Sequence, residues 1–389
     1  MRKLFFIFML VSVFNFKKIS AQTISFIYKG NNRTCKVHLP PGYSPSNNYP
    51  LVFNLHGHSS NSAQEEFYTQ MDAIADTAHF IVAYPDAVGG NWDTKFINSP
   101  VDDIGYINAL LDTLEKDYSL DSCRIYSCGM SMGGFMTYRL GSQMTQRLAA
   151  IASVAGPVTD SVIYFFNTSP RIPVMHIHGT ADGTIPYAGD TLFWDIDTTI
   201  QYFINKNGCQ AAPVVYNFPN TTLSDSCTVT SYNYTGCLGS TDVLFYKVSG
   251  GGHTWPGALF DITNLGNTNH DISISAEIWK FFRKYNICSN TSVLSPFSAA
   301  LSVLVFPNPF SESATLEIKG TSPQYRVPES GNNDLKLLIY DVFGKMVLKS
   351  EIRNCKSFIR RGNLPEGIYF YQIISENKSI STGKLIILP

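Results

Sequence analysis

Charge is what this chain has least of. Asp, Glu, Lys and Arg together make up 15% of its 389 residues, against about 25% in typical soluble proteins. The two signs nearly cancel, 29 Lys plus Arg against 30 Asp plus Glu, for a net charge of -1. No basic excess is left to meet phosphates, so nucleic acid is not expected as a partner. The eight cysteines, at positions 35, 123, 128, 209, 227, 237, 288 and 355, contain no C-x-x-C pair, which leaves zinc-ribbon and thioredoxin-type readings without support. Beyond the N-terminus no apolar run approaches the ~20 residues a membrane-spanning helix needs. No compositional bias marks disorder or a collagen repeat, and a hydrophobic content of 44% supports a real core. The surface that remains is built from Asn, Ser, Thr and Tyr rather than Lys and Glu, which suits an exported protein.

The first residues fit that destination. Arg2 and Lys3 precede an apolar run over residues 4–14, and Ile19-Ser20-Ala21 precedes Gln22. A positive region, a short apolar region and a small-residue cleavage site together predict a signal peptide over residues 1–21. An oxidising destination also accommodates the cysteines.

At ~150 residues per domain the length predicts two or three domains. Residues 22–289 alternate apolar strand-like runs (51–55, 80–84, 123–128, 172–177, 243–248) with amphipathic stretches (104–118, 134–144, 275–285). That alternation predicts an α/β fold, a mostly parallel sheet with helices on both faces. Residues 290–300 are small and polar, a linker. From 301 to 389 the chain reads as short strands (LSVLVF, ATLEI, LKLLIYD, KMVLKS, GIYFYQII, GKLIIL) separated by Pro, Asn and Gly turns. With no helical period, this segment predicts a small all-β, Ig-like sandwich.

The chemical signal is Gly129-Met130-Ser131-Met132-Gly133, a G-x-S-x-G pentapeptide between the apolar strand CRIYSC and the helix-like GFMTYRLGSQM. Strand, sharp turn and helix are what a nucleophile elbow requires, with glycines on either side so that the turn can close tightly. The helix that follows aims its first N–H groups at developing negative charge. A serine needs a base, and the base needs an orienting acid. Asp182 follows the strand at 172–177 within HGTADGTIP, and His253 follows the strand at 243–248 within SGGGHTWPG. Either alone is an ordinary loop residue. The order Ser, Asp, His, each just beyond a strand, makes them a candidate triad. The loop NLHGHSSN after the strand at 51–55 is placed to give one oxyanion-hole amide, that of His58, with the amide of Met132 as the other.

His56 with His58, and His176 with His178, are spaced to share a strand face, and a metal site is conceivable. Each pair runs instead into a His-Gly turn, with no carboxylate or cysteine cluster to complete a coordination set, so no metal or organic cofactor is expected. Trp92 and Trp255 are the aromatic residues nearest the chemistry in sequence. They are candidate substrate-binding walls, with core packing as the alternative for Trp92. Asp102 and Asp103 begin a helical period and most simply cap it.

Taken together, LHGHSSN, VDDIGYI, RIYSCGMSMGGFMTY, HGTADGTIPY and GGGHTWPG resemble the polyhydroxybutyrate depolymerase and feruloyl esterase family of α/β-hydrolases, which overlaps carbohydrate esterase family 1. The resemblance runs from about residue 33 to 285. It implies Ser131 as nucleophile, His253 as base, Asp182 as orienting acid, and a disulfide between Cys209 and Cys237. The tail pieces VFPNPF, LLIYDVFGKMVLKSEI, LPEGIYFYQI and GKLIIL resemble the C-terminal sorting domain of the type IX secretion system. That resemblance implies export through the type IX machinery, then release or attachment at the outer cell surface. Removal of the tail takes Cys355 with it and leaves an odd thiol, for which Cys128 is the candidate. The expected function is a secreted serine carboxylesterase acting on feruloyl or acetyl esters of plant polysaccharide, losing activity in acid as its base protonates. The alternatives are a polyhydroxybutyrate or polyester depolymerase and, from another class, a non-catalytic surface glycan-binding protein.

Overall fold

The computed structural model describes residues 22–94, 101–288, 301–320, 335–341, 345–352, 356–375 and 378–389. The expected signal peptide, the linker, the polar insertion at 321–334 and Cys355 lie outside the described residues. The chain divides into two compact units, residues 1–289 and 290–389.

In the first unit, ten strands among the described residues form one sheet: β1 (Gln22–Tyr28), β2 (Asn31–His38), β3 (Tyr49–Leu55), β4 (Ile81–Pro85), β5 (Leu120–Met130), β6 (Ala150–Val154), β7 (Val174–Gly179), β8 (Val214–Asn217), β9 (Thr228–Tyr234) and β10 (Val243–Ser249). Their spatial order is β1-β2-β4-β3-β5-β6-β7-β10-β9-β8. The strands from β4 through β10 in that order are parallel, while β1 and β2 at one edge and β9 and β8 at the other are antiparallel. Parallel strands need long crossovers, and these carry the helices. α1 (Ser62–Thr69) and α2 (Met71–Ala78) follow β3, α3 (Asp103–Asp117) follows β4, and α4 (Met132–Gln143) follows β5. α5 (Asp160–Thr168) follows β6, α6 (Ile196–Asn207) follows β7 and α7 (Ile274–Phe282) follows β10.

Every residue of β3 is buried, as a strand covered on both faces must be. Its alternation sorts two cores. Leu51, Phe53 and Leu55 belong with Ile107 and Leu110 of α3 and Met136 of α4. Val52 belongs with Tyr126 and Cys128 of β5, Met71 of α2 and Trp279 of α7. Phe80 stacks on Trp279 at 4.1 Å and Tyr126 on Phe282 at 4.8 Å, which fixes α7 against the sheet. The α/β-hydrolase arrangement expected of this unit is the one found. Asp102 caps α3, accepting from the Gly105 amide at 2.9 Å. Asp103 does not share that role: it is buried against Arg33 at 2.6 Å and accepts from the Asp93 amide, a pairing that no local pattern announces.

The described second unit is all β. It contains β11 (Leu301–Phe306), β12 (Ser313–Gly320), β13 (Lys336–Tyr340), β14 (Met346–Glu351), β15 (Lys356–Arg360), β16 (Gly367–Ser375) and β17 (Lys378–Ile387). Two antiparallel sheets, β11-β12-β15 and β14-β13-β16-β17, enclose one core. Leu316 and Ile359 come from the first sheet, and Leu337, Ile339, Ile373 and Leu385 from the second.

Candidate active site

Ser131 sits between β5 and α4 at φ 55°, ψ -119°, a backbone conformation that costs ~1–3 kcal/mol and persists only where the surroundings enforce it. Here they do. The Ser131 amide donates to the Val154 carbonyl at 2.8 Å and its carbonyl accepts from the Phe135 amide at 3.0 Å. A Cβ on Gly129 would stand 2.6 Å from the Leu55 carbonyl oxygen, and one on Gly133 only 1.9 Å from it. Both outer positions of the pentapeptide therefore exclude any side chain, because α4 begins in contact with the end of β3.

His253 and Asp182 lie on neighbouring loops beyond β10 and β7. The loops are stitched together: the Ala181 amide donates to the Gly251 carbonyl at 2.9 Å, and the Gly250 amide donates to Thr180 Oγ1 at 2.9 Å. A Cβ on Gly252 would meet the Leu265 carbonyl oxygen at 2.1 Å, and the His253 amide donates to that same oxygen. His253 Nδ1 is 2.8 Å from Asp182 Oδ2. The other carboxylate oxygen accepts from the amides of Thr184 and Ile185, each at 2.8 Å. Burial works to raise the Asp182 pKa, but the bond and charge of His253, the Ile185 amide and His178 carry it below the ordinary value. An ionised Asp182 only accepts, so Nδ1 of His253 holds the proton and the neutral ring keeps Nε2 as a base.

Ser131 and His253 line one cavity of about 540 Å³ with Gly57 and His58. The loop carrying His58 is braced from outside. His56 Nδ1 donates to the Gly57 carbonyl at 2.7 Å, the Ala87 amide donates to His56 Nε2, and the Trp92 indole N–H donates to the His56 carbonyl at 2.9 Å. Trp92 is buried, packs on the His56 ring at 5.1 Å and does not line the cavity. Trp255 is also buried, its indole N–H donating to Ser275 Oγ at 3.0 Å, and it too is absent from the cavity lining. Both expected walls are thus braces one layer behind the site. The aromatic wall comes from Phe67, Tyr68 and Phe260, whose rings cluster at 5.5–5.6 Å, from segments that sequence spacing did not connect to Ser131.

His176 and His178 have a different place from a metal pair. Ile185 O can only accept, so His178 Nε2, 2.9 Å away, carries the proton. His178 Nδ1 therefore accepts from His176 Nε2 at 3.3 Å, and His176 Nδ1 accepts from the Tyr138 hydroxyl at 2.9 Å. Burial lowers both imidazoles, His178 to about 4 and His176 well below its usual value. The neutral chain runs one way, ending with the His178 N–H 3.4 Å from Asp182 Oδ2. Among the described residues no group of three His, Cys, Asp or Glu is arranged to hold a metal ion.

Two disulfides are present among the described residues, Cys209–Cys237 and Cys123–Cys288. Cys35, Cys128 and Cys227 are free and buried. The first pair is the one the family resemblance implied. Cys128 is free and buried as expected of the odd thiol, and Cys35 and Cys227 share that state.

Comparison with known proteins agrees with this architecture. Residues 99–205 match the family model described as Phospholipase/Carboxylesterase, and residues 304–388 match that of a secretion system C-terminal sorting domain. The chain is similar to a bifunctional acetylxylan esterase/xylanase of Neocallimastix patriciarum, 27% identical over 58% of this chain and 31% of that protein. It is also similar to feruloyl esterase D of Neurospora crassa, 24% identical over 69% of this chain and 87% of that protein. The match therefore spans about a third of the first relative's length and most of the second's. Among solved structures, an acetyl xylan esterase from Aspergillus awamori aligns with a TM-score of 0.46 and 17% identity, over 60% of this chain and 94% of that one. The first unit has the α/β-hydrolase fold and is similar to carboxylesterases over residues 99–205. The second is similar over residues 304–388 to a secretion system sorting domain, which marks the chain for export.

Proposed function

We propose that the chain is a secreted serine esterase that cleaves hydroxycinnamoyl or acetyl esters on plant polysaccharide, with Ser131, His253 and Asp182 as its triad. The observation that carries this reading is the His253–Asp182 hydrogen bond at 2.8 Å opening on the same cavity as the strained Ser131. Ser131 Oγ attacks the ester carbonyl as His253 Nε2 takes its proton. The amides of His58 and Met132 receive the oxyanion, each donor worth roughly 2.7–4 kcal/mol in the transition state. Met132 is the first residue of α4, so its N–H has no intrahelical partner and is free to serve. His253 then returns the proton to the departing alcohol and activates water to release the acid.

The names of the relatives, feruloyl and acetylxylan esterases, support this substrate class. The aromatic wall of Phe67, Tyr68 and Phe260 favours an aryl acyl group within it, since an acetyl group needs no such surface. The tail is read as the handle of the type IX machinery.

The test is a panel offered to the full chain: methyl ferulate, p-nitrophenyl acetate, acetylated xylan and a polyhydroxybutyrate suspension, with fluorophosphonate labelling in parallel. Turnover of methyl ferulate or acetylated xylan with labelling at Ser131 is expected. Turnover confined to polyhydroxybutyrate would replace the substrate class. Silence throughout, with no labelling of folded protein, would promote the non-catalytic binding protein.

The pH profile carries a further expectation. Asp182 is held below its ordinary pKa and His178 is neutral above about 4. A carboxylate with a lowered pKa keeps its charge as pH falls towards 4, so neither Asp182 nor His178 takes up a proton between pH 7 and 5. Any fall in log kcat/KM for p-nitrophenyl acetate between pH 7 and 5 should therefore have a limiting slope no steeper than one. A slope of two would mean that Asp182 takes up a proton in that range, against the lowered pKa its hydrogen bonds give it.

A further inference from the structure

Among the described residues, Glu65 is the one acidic side chain lining the cavity that holds Ser131 and His253. It is 4% exposed, and its Oε1 is buried with no hydrogen-bond partner. It is not the cap of α1, because Asn61 caps that helix by accepting from the amides of Ala63 and Gln64. A buried oxygen left unpaired is destabilising, and an apolar side chain of similar size would avoid the loss. Burial pushes the Glu65 carboxyl well above its usual range, which favours the protonated form, a group that both donates and accepts. Phe67, Tyr68, Phe260, Ile262 and Leu265 give the cavity an apolar and aromatic wall, with Ser60, Gln64 and Thr184 as further polar lining residues.

We infer that Glu65 is the specificity residue of the acyl pocket, hydrogen-bonding through its carboxyl to the ring hydroxyl of a hydroxycinnamoyl group. The inference rests on the ester reading above and adds the group that selects the acyl moiety. An aromatic wall beside a buried carboxyl oxygen without a partner fits a flat aromatic ring bearing one hydroxyl. Such a site discriminates because the ester lacking the hydroxyl leaves Glu65 buried and unpaired in the complex as well.

The experiment uses two esters that differ by that hydroxyl alone, methyl 4-hydroxycinnamate and methyl cinnamate, with the full chain and its Glu65→Gln and Glu65→Met variants. The wild type should favour the hydroxylated ester about tenfold in kcat/KM. Glu65→Met should bring the ratio near one. Glu65→Gln, whose amide also donates and accepts, should keep it within about threefold of wild type. Equal losses on both esters in Glu65→Met would indicate a merely structural role and overturn the inference. So would a wild-type ratio near one, which needs no variant to fold and leaves the esterase reading standing. A wild type that cleaves p-nitrophenyl acetate but neither cinnamate would fail differently, removing the hydroxycinnamoyl reading and Glu65's role with it.

Discussion

Ser131→Ala is expected to lower kcat about a million-fold and Asp182→Asn about ten-thousand-fold, with little change in KM for either, the graded pattern found for serine and aspartate removal in other triads. The serine loss is the larger because the covalent route disappears, leaving only the oxyanion amides of His58 and Met132 and the cavity itself. The aspartate loss has a specific cause in this geometry. Oδ1 of Asp182 accepts two amides, Thr184 and Ile185, so the oxygen of an asparagine must stay there. Its NH2 is then forced into the place of Oδ2, facing His253 Nδ1 and the N–H of His178. A donor at that point draws the His253 proton to Nε2, the tautomer that cannot accept from Ser131, and meets the His178 donor head on. Turnover of p-nitrophenyl acetate and the rate of fluorophosphonate labelling measure both variants. An Asp182→Asn protein within tenfold of wild type would remove Asp182 from the triad.

The parts of this arrangement legible in the sequence are those where one local rule suffices. Gly129 and Gly133 announce the elbow because the sterics that demand them act on adjacent turns of chain, and the apolar strands before Asp182 and His253 place those residues at strand ends. The burial of β3 on both faces is likewise visible in its apolar run, which only Asn54 interrupts. The roles of Trp92 and Trp255 were not legible, since proximity in sequence to His253 or to the His58 loop does not say which side of a loop an indole faces. Both indole N–H groups found partners behind the site, at His56 and Ser275. The cavity wall was missed for the converse reason: Phe67 and Phe260 meet only through the fold. The exposed edge strand β8 and the short β15, whose burial alternates around the exposed Phe358, carry too little apolar pattern to be recognised. His178 was read only as one of a pair running into a His-Gly turn, and it is the carbonyl of Ile185 that fixes its proton and turns it toward Asp182.

The covalent links extend that lesson to stability, where the pair no pattern suggested is expected to matter more. Cys123–Cys288 closes a separation of 165 residues and Cys209–Cys237 one of 28. In the chain-entropy account the unfolded state gains freedom with the logarithm of loop length, so losing the first bridge is expected to destabilise by about 5 kcal/mol and the second by about 3.5 kcal/mol. The longer bridge also sits at a sensitive place. Cys123 lies in β5, the strand that ends at Ser131, and its carbonyl accepts from the Ile287 amide at 2.9 Å, so the bridge pins the segment after α7 to the central strand. Against a typical domain stability of roughly 5–15 kcal/mol, a loss of that size brings a marginal fold close to melting at ambient temperature. Urea denaturation of Cys123→Ser/Cys288→Ser and Cys209→Ser/Cys237→Ser proteins, with tryptophan emission as the probe, compares the two. The order should survive even if both values fall short through residual structure in the unfolded chain. A smaller loss from the Cys123–Cys288 pair than from Cys209–Cys237 would mean that the last helix holds to β5 through the Trp279 and Phe282 stacking alone.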